Sequence, residues 1–213
     1  MTRWDDLQAA VRARHSVRRF LPDPVPEADI REIVELATWA PNASNRQMWR
    51  FVAVADPALK KAMRQAVEEA IDRLVAAVPE VPGVAAMKGW SLFFAEAPVV
   101  IAVFGEGYAS RTDEALKAGG WTSEAIDRVR ARPDLQSIGA AIQTLLLAAA
   151  AKGYGTCWMC APNLAAPEIE RLLGVEERFR LVAIVPLGCP AEAPRGPGRH
   201  PVEEVYRYLG PRG

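Results

Sequence analysis

The sequence predicts an α+β fold on three observations. Its helical segments outnumber its four strand-like segments, and the two kinds do not alternate one for one, as a doubly wound sheet requires. No G-x-G-x-x-G and no P-loop follows any strand, so neither nucleotide-binding fingerprint is present. The chain has 213 residues, 50% hydrophobic and 24% charged, the proportions of one folded domain, expected to span 1–213.

Each element follows from local chemistry. Trp4, Leu7, Ala10 and Val11 step at helical spacing through residues 3–13. Residues 21–26 carry three prolines and are extended. Pro26 then tolerates a first helical turn, and Ile30, Ile33, Val34 and Ala37 mark one buried face up to Ala40. Pro41 ends that helix, and 41–47 (PNASNRQ) is loop chemistry. Residues 49–55 (WRFVAVA) read as a buried strand. Asp56-Pro57 is an N-cap with proline at N1, opening a helix to about Val78. Residues 81–88 form a Pro/Gly-containing connection, and 98–104 have the β-branched apolar run of a central strand.

Residues 105–135 give the weakest pattern: glycines, an exposed aromatic pair (Tyr108, Trp121) and a helix from Ser123 to Ala131. Ile138, Ile142, Leu145, Leu146 and Ala149 define a strong helix over 138–152, with Gly153 as its left-handed cap. Two further strands are expected at 156–159 and 181–187, with a short helix at 167–173 closed by Gly174.

Acidic and basic residues number 26 each, so net charge gives no reason to expect nucleic acid or an anionic membrane as partner. The apolar runs 97–104 and 138–151 are shorter than the ~18 residues a membrane span needs. The N-terminus lacks the pattern of a cleaved signal, and three cysteines make no disulfide framework. A cytoplasmic protein is expected.

The densest functional signal is 14–20 (RHSVRRF). Arg14, Arg18 and Arg19 with the Ser16 hydroxyl could cradle a phosphate, since guanidinium forks bind it bidentately; a solvated basic stretch has the same charge pattern. In the loop around Pro41, Asn42, Ser44, Asn45 and Gln47 offer paired donors and acceptors suited to the edge of a heterocycle, although Asn and Ser also simply favour turns. Arg195, Arg199 and His200 form a weaker basic cluster. Cys157 and Cys160 have redox spacing but lie at a strand end, where buried apolar thiols are the expectation. Two histidines, His15 and His200, make no metal site, and no nucleophile finds a credible base. An enzyme of this composition would rely on an organic cofactor.

The order RHSVRRF, LPDPVP, WAPNASNRQMWRFVAV, SIGAAIQTLLLAAAAKGYGTCWM and RLVAIVPLGCPAE…RHPVEEVYRY resembles the nitroreductase family of flavoproteins. That resemblance implies a three-layer α+β fold, a mainly antiparallel sheet flanked by helices, and an intertwined homodimer with FMN at the subunit interface. It implies hydride transfer from NADH or NADPH through flavin N5 to a nitroaromatic, quinone or similar acceptor. Arg14 and Ser16 would then hold the phosphate and ribityl end, with His15 lending its backbone and Arg199 returning to the phosphate. Arg18 would sit near N1 and O2. Pro41, Asn42, Ala43, Asn45 and Gln47 would reach the partner's flavin, and Met159, Cys160 and Ala161 would supply backbone contacts near N5. The family usually has Ser where this chain has Asn42 and Pro where it has Met48. Residues 105–135 match nothing in the family pattern and are expected to be a variable lid. A flavin-fragmenting dimethylbenzimidazole synthase and a non-enzymatic flavin carrier are the alternatives the resemblance leaves open.

Overall fold

A computed structural model describes residues 2–193 and 196–211. Four strands form one antiparallel sheet in the order β1-β2-β4-β3: β1 (Trp49–Val54), β2 (Val99–Glu106), β3 (Gly155–Thr156) and β4 (Phe179–Gly188). β2 lies inside the sheet, and its alternating side chains feed two cores. Val100, Ala102 and Phe104 join Met63, Val67 and Ile71 of α3 (Pro57–Ala77) and Ile169 of α8 (Ala166–Leu173) on one face. Val99, Ile101 and Val103 join Ile33 of α2 (Glu27–Thr38) and Ile138, Ile142 and Leu145 of α7 (Pro133–Ala151) on the other. Helix, sheet, helix is the predicted three-layer α+β arrangement.

Most expected boundaries hold. Asp56 caps α3 by accepting from the Ala58 N–H at 2.8 Å, with Pro57 at the first helical position. Gly153 and Gly174 take the left-handed φ that ends α7 and α8. α1 (Arg3–Ala13) forms, yet none of its residues is buried. The segment 105–135 folds into α5 (Arg111–Ala118) and α6 (Ser123–Arg130), and 81–91 contains a short helix α4 (Met87–Ser91). A one-turn helix α9 (Val202–Val205) lies in the C-terminal tail.

Three expectations are corrected. The strand expected at 156–159 is only two residues long, because the chain leaves β3 at Cys157 and re-pairs only once, through Met159 and Ile184. α7 starts five residues before the expected Ile138, at Pro133, after Ala131 and Arg132 turn left-handed. At 19 residues it is long and apolar enough to cross a membrane, contrary to the shorter reading. It is instead the core helix over the sheet, with Ile138, Ala141, Ile142, Leu145, Leu146 and Ala149 buried.

Candidate functional site

The stretch 14–18 is pinned beside β3 as an extra partial strand. Ser16 bridges Thr156 in parallel, and the Val17 N–H donates to the Thr156 carbonyl at 2.9 Å. Alternation then turns Val17 inward, 6% exposed, and puts Arg14, Ser16 and Arg18 on the opposite face. Gly155 allows this approach: a Cβ there would lie 2.6–2.9 Å from three Val17 side-chain atoms. All three polar side chains act on Cys157. Burial pushes its thiol up, while the Arg18 charge, a Ser16 hydrogen bond and the Arg14 charge oppose that shift.

Among the described residues, Arg14, Arg18 and Arg199 have no carboxylate partner, whereas Arg19 is paired with Glu192 at 3.0 Å. Arg19 therefore leaves the three-arginine cradle read from the sequence. The tail reaches the same place: Gly196 packs so closely on the His15 imidazole that a Cβ would overlap the ring. Arg199, three residues on, turns its guanidinium onto the Pro197 and Gly198 carbonyls at 3.0 and 3.2 Å. Arg195 lies outside the described residues.

Met159 is corrected as a backbone contact. Its N–H donates to Ile184 at 3.0 Å, its carbonyl accepts from Ile184 at 2.9 Å, and its side chain is buried. Cys160 and Ala161 remain, opening the 3₁₀ turn Ala161–Ala165. The paired buried thiols are half right: Cys157 is buried, but Cys160 is exposed. Cys160, Trp158, Asn163, Leu135, Ile138 and Arg180 line a cavity of about 520 Å³ between α7 and the β4 edge.

The loop at 41–47 is held in a costly shape. Ser44, Asn45 and Gln47 all take positive φ, 52°, 50° and 47°. Left-handed backbone costs an L-residue roughly 1–2 kcal/mol, somewhat less for Asn. Asn42 offsets part of this: its Oδ1 accepts from the Gln47 N–H at 2.8 Å, and its Nδ2 donates to the Ala40 carbonyl at 3.3 Å. The Ala43 N–H donates to Ser137 Oγ at 3.0 Å, and Ser44 Oγ lies 2.8 Å from the Tyr108 hydroxyl.

The two halves of the predicted site are not brought together within one chain. Ser137 holds the loop near the start of α7, while Ala150, near its end, lines a cleft with Arg14 and His15. At 1.5 Å rise per residue these points stand about 20 Å apart. Sequence reasoning named Tyr108 only as an exposed aromatic, where the structure half-buries it, and missed Ser137, Trp158, Asn163 and Gly196 as site residues. Only Gly196 carried a signal, its place beside the basic tail.

The sequence profile of the Nitroreductase family matches residues 11–189. A protein of Thermus thermophilus named NADH dehydrogenase is 33% identical, covering 95% of this chain and 96% of its own. The crystal structure of a BluB-like flavoprotein from Clostridium difficile is 30% identical, with a TM-score of 0.88, covering 96% of this chain and 99% of that one. An iodotyrosine deiodinase structure bound to FMN and 3-iodo-L-tyrosine is 27% identical, with a TM-score of 0.71 and 96% and 99% coverage.

Proposed function

This chain belongs to the nitroreductase family, and from that premise we propose an FMN-dependent oxidoreductase. It would move electrons from NADH or NADPH to a small electrophilic acceptor, a nitroaromatic or quinone. The observation that carries this reading is the face made by Arg14, Ser16 and Arg18 beside Thr156, with the tail seated on His15. Two guanidiniums without carboxylate partners among the described residues, a hydroxyl and a converging basic tail fit a phosphate of about two negative charges. Two guanidiniums, always charged and without lone pairs to give, suit an anion rather than a metal ion.

When bound, FMN supplies two-electron transfer between a nicotinamide and an acceptor. The residues supply binding and electrostatics. Arg14, Ser16 and Arg199 would hold the phosphate, and His15 would seat the tail that carries Arg199. Arg18 would place a cation where reduction builds negative charge, favouring the reduced state. The Cys160 and Ala161 N–H groups would face the ring edge. Pro41, Ala43, Asn45 and Gln47 would approach from the partner subunit, with Asn42 shaping their loop.

A homodimer is part of this proposal, supported by the 20 Å separation above and by unpartnered apolar surface. Trp4, Leu7 and Val11 on α1 are 48–65% exposed, and Val205, Tyr208 and Leu209 in the tail are each 75% exposed. Apolar patches of this kind mark association sites.

The test is an absorption spectrum of the purified protein, followed by anaerobic NADH and then NADPH. Bands near ~370 and ~450 nm that bleach with a nucleotide support the reading. A colourless protein that takes up no added FMN overturns it. Dimethylbenzimidazole formed from reduced FMN and oxygen would move the chain to the flavin-fragmenting activity instead.

A further inference from the structure

The strained loop at 41–47 is braced by two residues far along the chain, Tyr108 in the segment expected only to cover an acceptor and Ser137 in the helix that follows it. Ser137 has one hydroxyl proton and donates it to the Pro133 carbonyl at 2.6 Å. Its lone pairs are thereby aimed outward, and one accepts the Ala43 N–H at 3.0 Å. Pro133 is the first residue of α7 and follows the left-handed pair Ala131 and Arg132. Arg132 is fixed in turn by a two-point fork onto Asp134, with distances of 3.2 and 2.9 Å. At the other end of the same excursion, two residues after β2, the Tyr108 hydroxyl meets Ser44 Oγ at 2.8 Å. Tyr108, at the entry of residues 107–132, and Ser137, in the second turn of the helix that follows them, are both bonded to one loop.

We propose that Ser137 and Tyr108 are positioning residues for the cofactor loop, so that the 107–132 segment shapes flavin binding as well as acceptor access. Ala43 and Ser44 are held at those two points at the start of the strained run, and the Asn42 side chain holds Gln47 at its end. Loss of either brace lets the loop drift toward right-handed φ and withdraws the donors that Asn45 and Gln47 present. The inference rests on the flavin reading above, and its test separates the two.

The experiment uses the full-length protein with FMN as the probe. Wild type, Tyr108→Phe, Ser137→Ala and Ser137→Thr are compared by fluorescence titration of FMN, by midpoint potential and by melting temperature without flavin. Each of Tyr108→Phe and Ser137→Ala is expected to raise the FMN Kd about 3- to 10-fold, since each removes one hydrogen bond to the loop. Ser137→Thr, whose hydroxyl can make both bonds, is expected to stay within about twofold of wild type. The midpoint potential shifts in the two weakened variants, while the melting temperature of flavin-free Tyr108→Phe is unchanged. If Ser137→Ala fails to fold, Tyr108→Phe decides alone. Wild-type affinity and potential in Tyr108→Phe, with wild type binding FMN, would overturn the positioning role and leave the flavin reading standing. No FMN binding by wild type would overturn both.

Discussion

Gly196 lies flat against the His15 imidazole, and no side chain fits between them. The contact joins residues near opposite ends of the chain and seats the basic tail on the residue next to Arg14. Gly196→Ala is therefore expected to lift the tail away. Both partners sit at the surface, so the melting temperature should move little. The FMN Kd should rise at least fivefold, read by fluorescence titration; an unchanged Kd would remove Arg199 from the phosphate site.

A second substitution acts from behind the cradle. Gly155→Ala drives a methyl into Val17, where it would lie 2.6–2.9 Å from three side-chain atoms, the branching Cβ among them. Overpacking of this kind costs about 1–3 kcal/mol. The strain moves the 14–18 strand off Thr156, so stability and FMN affinity should fall together. Urea melts and flavin titration of the same preparation measure both. A variant as stable as wild type would show that the strand can step away without cost.

Acid should loosen α5 and α6 before the body of the fold. Hydrogen bonds from the Ser110 side chain and backbone, aided by Arg130, hold the Asp113 carboxyl down at about 2. The folded value lies below the unfolded one of 3.8, so the stabilisation is full above pH 4 and fades as pH falls toward 2. Hydrogen exchange in α5 and α6 should accelerate over that window. Asp113→Asn should exchange faster at neutral pH and lose the pH step; an identical step in the variant would assign it to another group.

Lys60 is buried with no carboxylate partner among the described residues, its Nζ donating to the Ala97 and Pro98 carbonyls at 2.6 and 3.0 Å. Burial pushes its pKa down. Lys60→Met keeps the stem but orphans both carbonyls just before β2, at a cost of about 1–3 kcal/mol. Thermal melting measures it, and flavin affinity should be untouched because this corner lies on the α3 face of the sheet.

How much of this was legible in the sequence depends on the distance over which each feature is set. The density of Arg14, Ser16, Arg18 and Arg19 was legible in the sequence, but that Arg14, Ser16 and Arg18 share one face emerged only with the Ser16 bridge to Thr156, which turns Val17 inward. The start of α7 was not legible: Asp134 and Ser137 are buried but polar, and they break the apolar pattern. Their burial is tolerable only because Arg132 and the Ala43 N–H satisfy them. α5 did carry a readable sign, the capping box Ser110 to Asp113. Tyr108 and Ser137 carried none, since their partners lie 64 and 94 residues away. Arg19 looked equal to its neighbours until Glu192, 173 residues on, claimed it.

The length of α7 has a genetic consequence. A rigid spacer of about 20 Å keeps each chain's arginine face from its own 41–47 loop, so in the proposed dimer neither chain owns a whole site. A chain with a defective arginine face and a chain with a defective loop would each be inactive alone. Paired together, they would assemble one site carrying both lesions and one carrying neither. Two inactive alleles would then complement each other, at up to half the wild-type activity of each mixed pair.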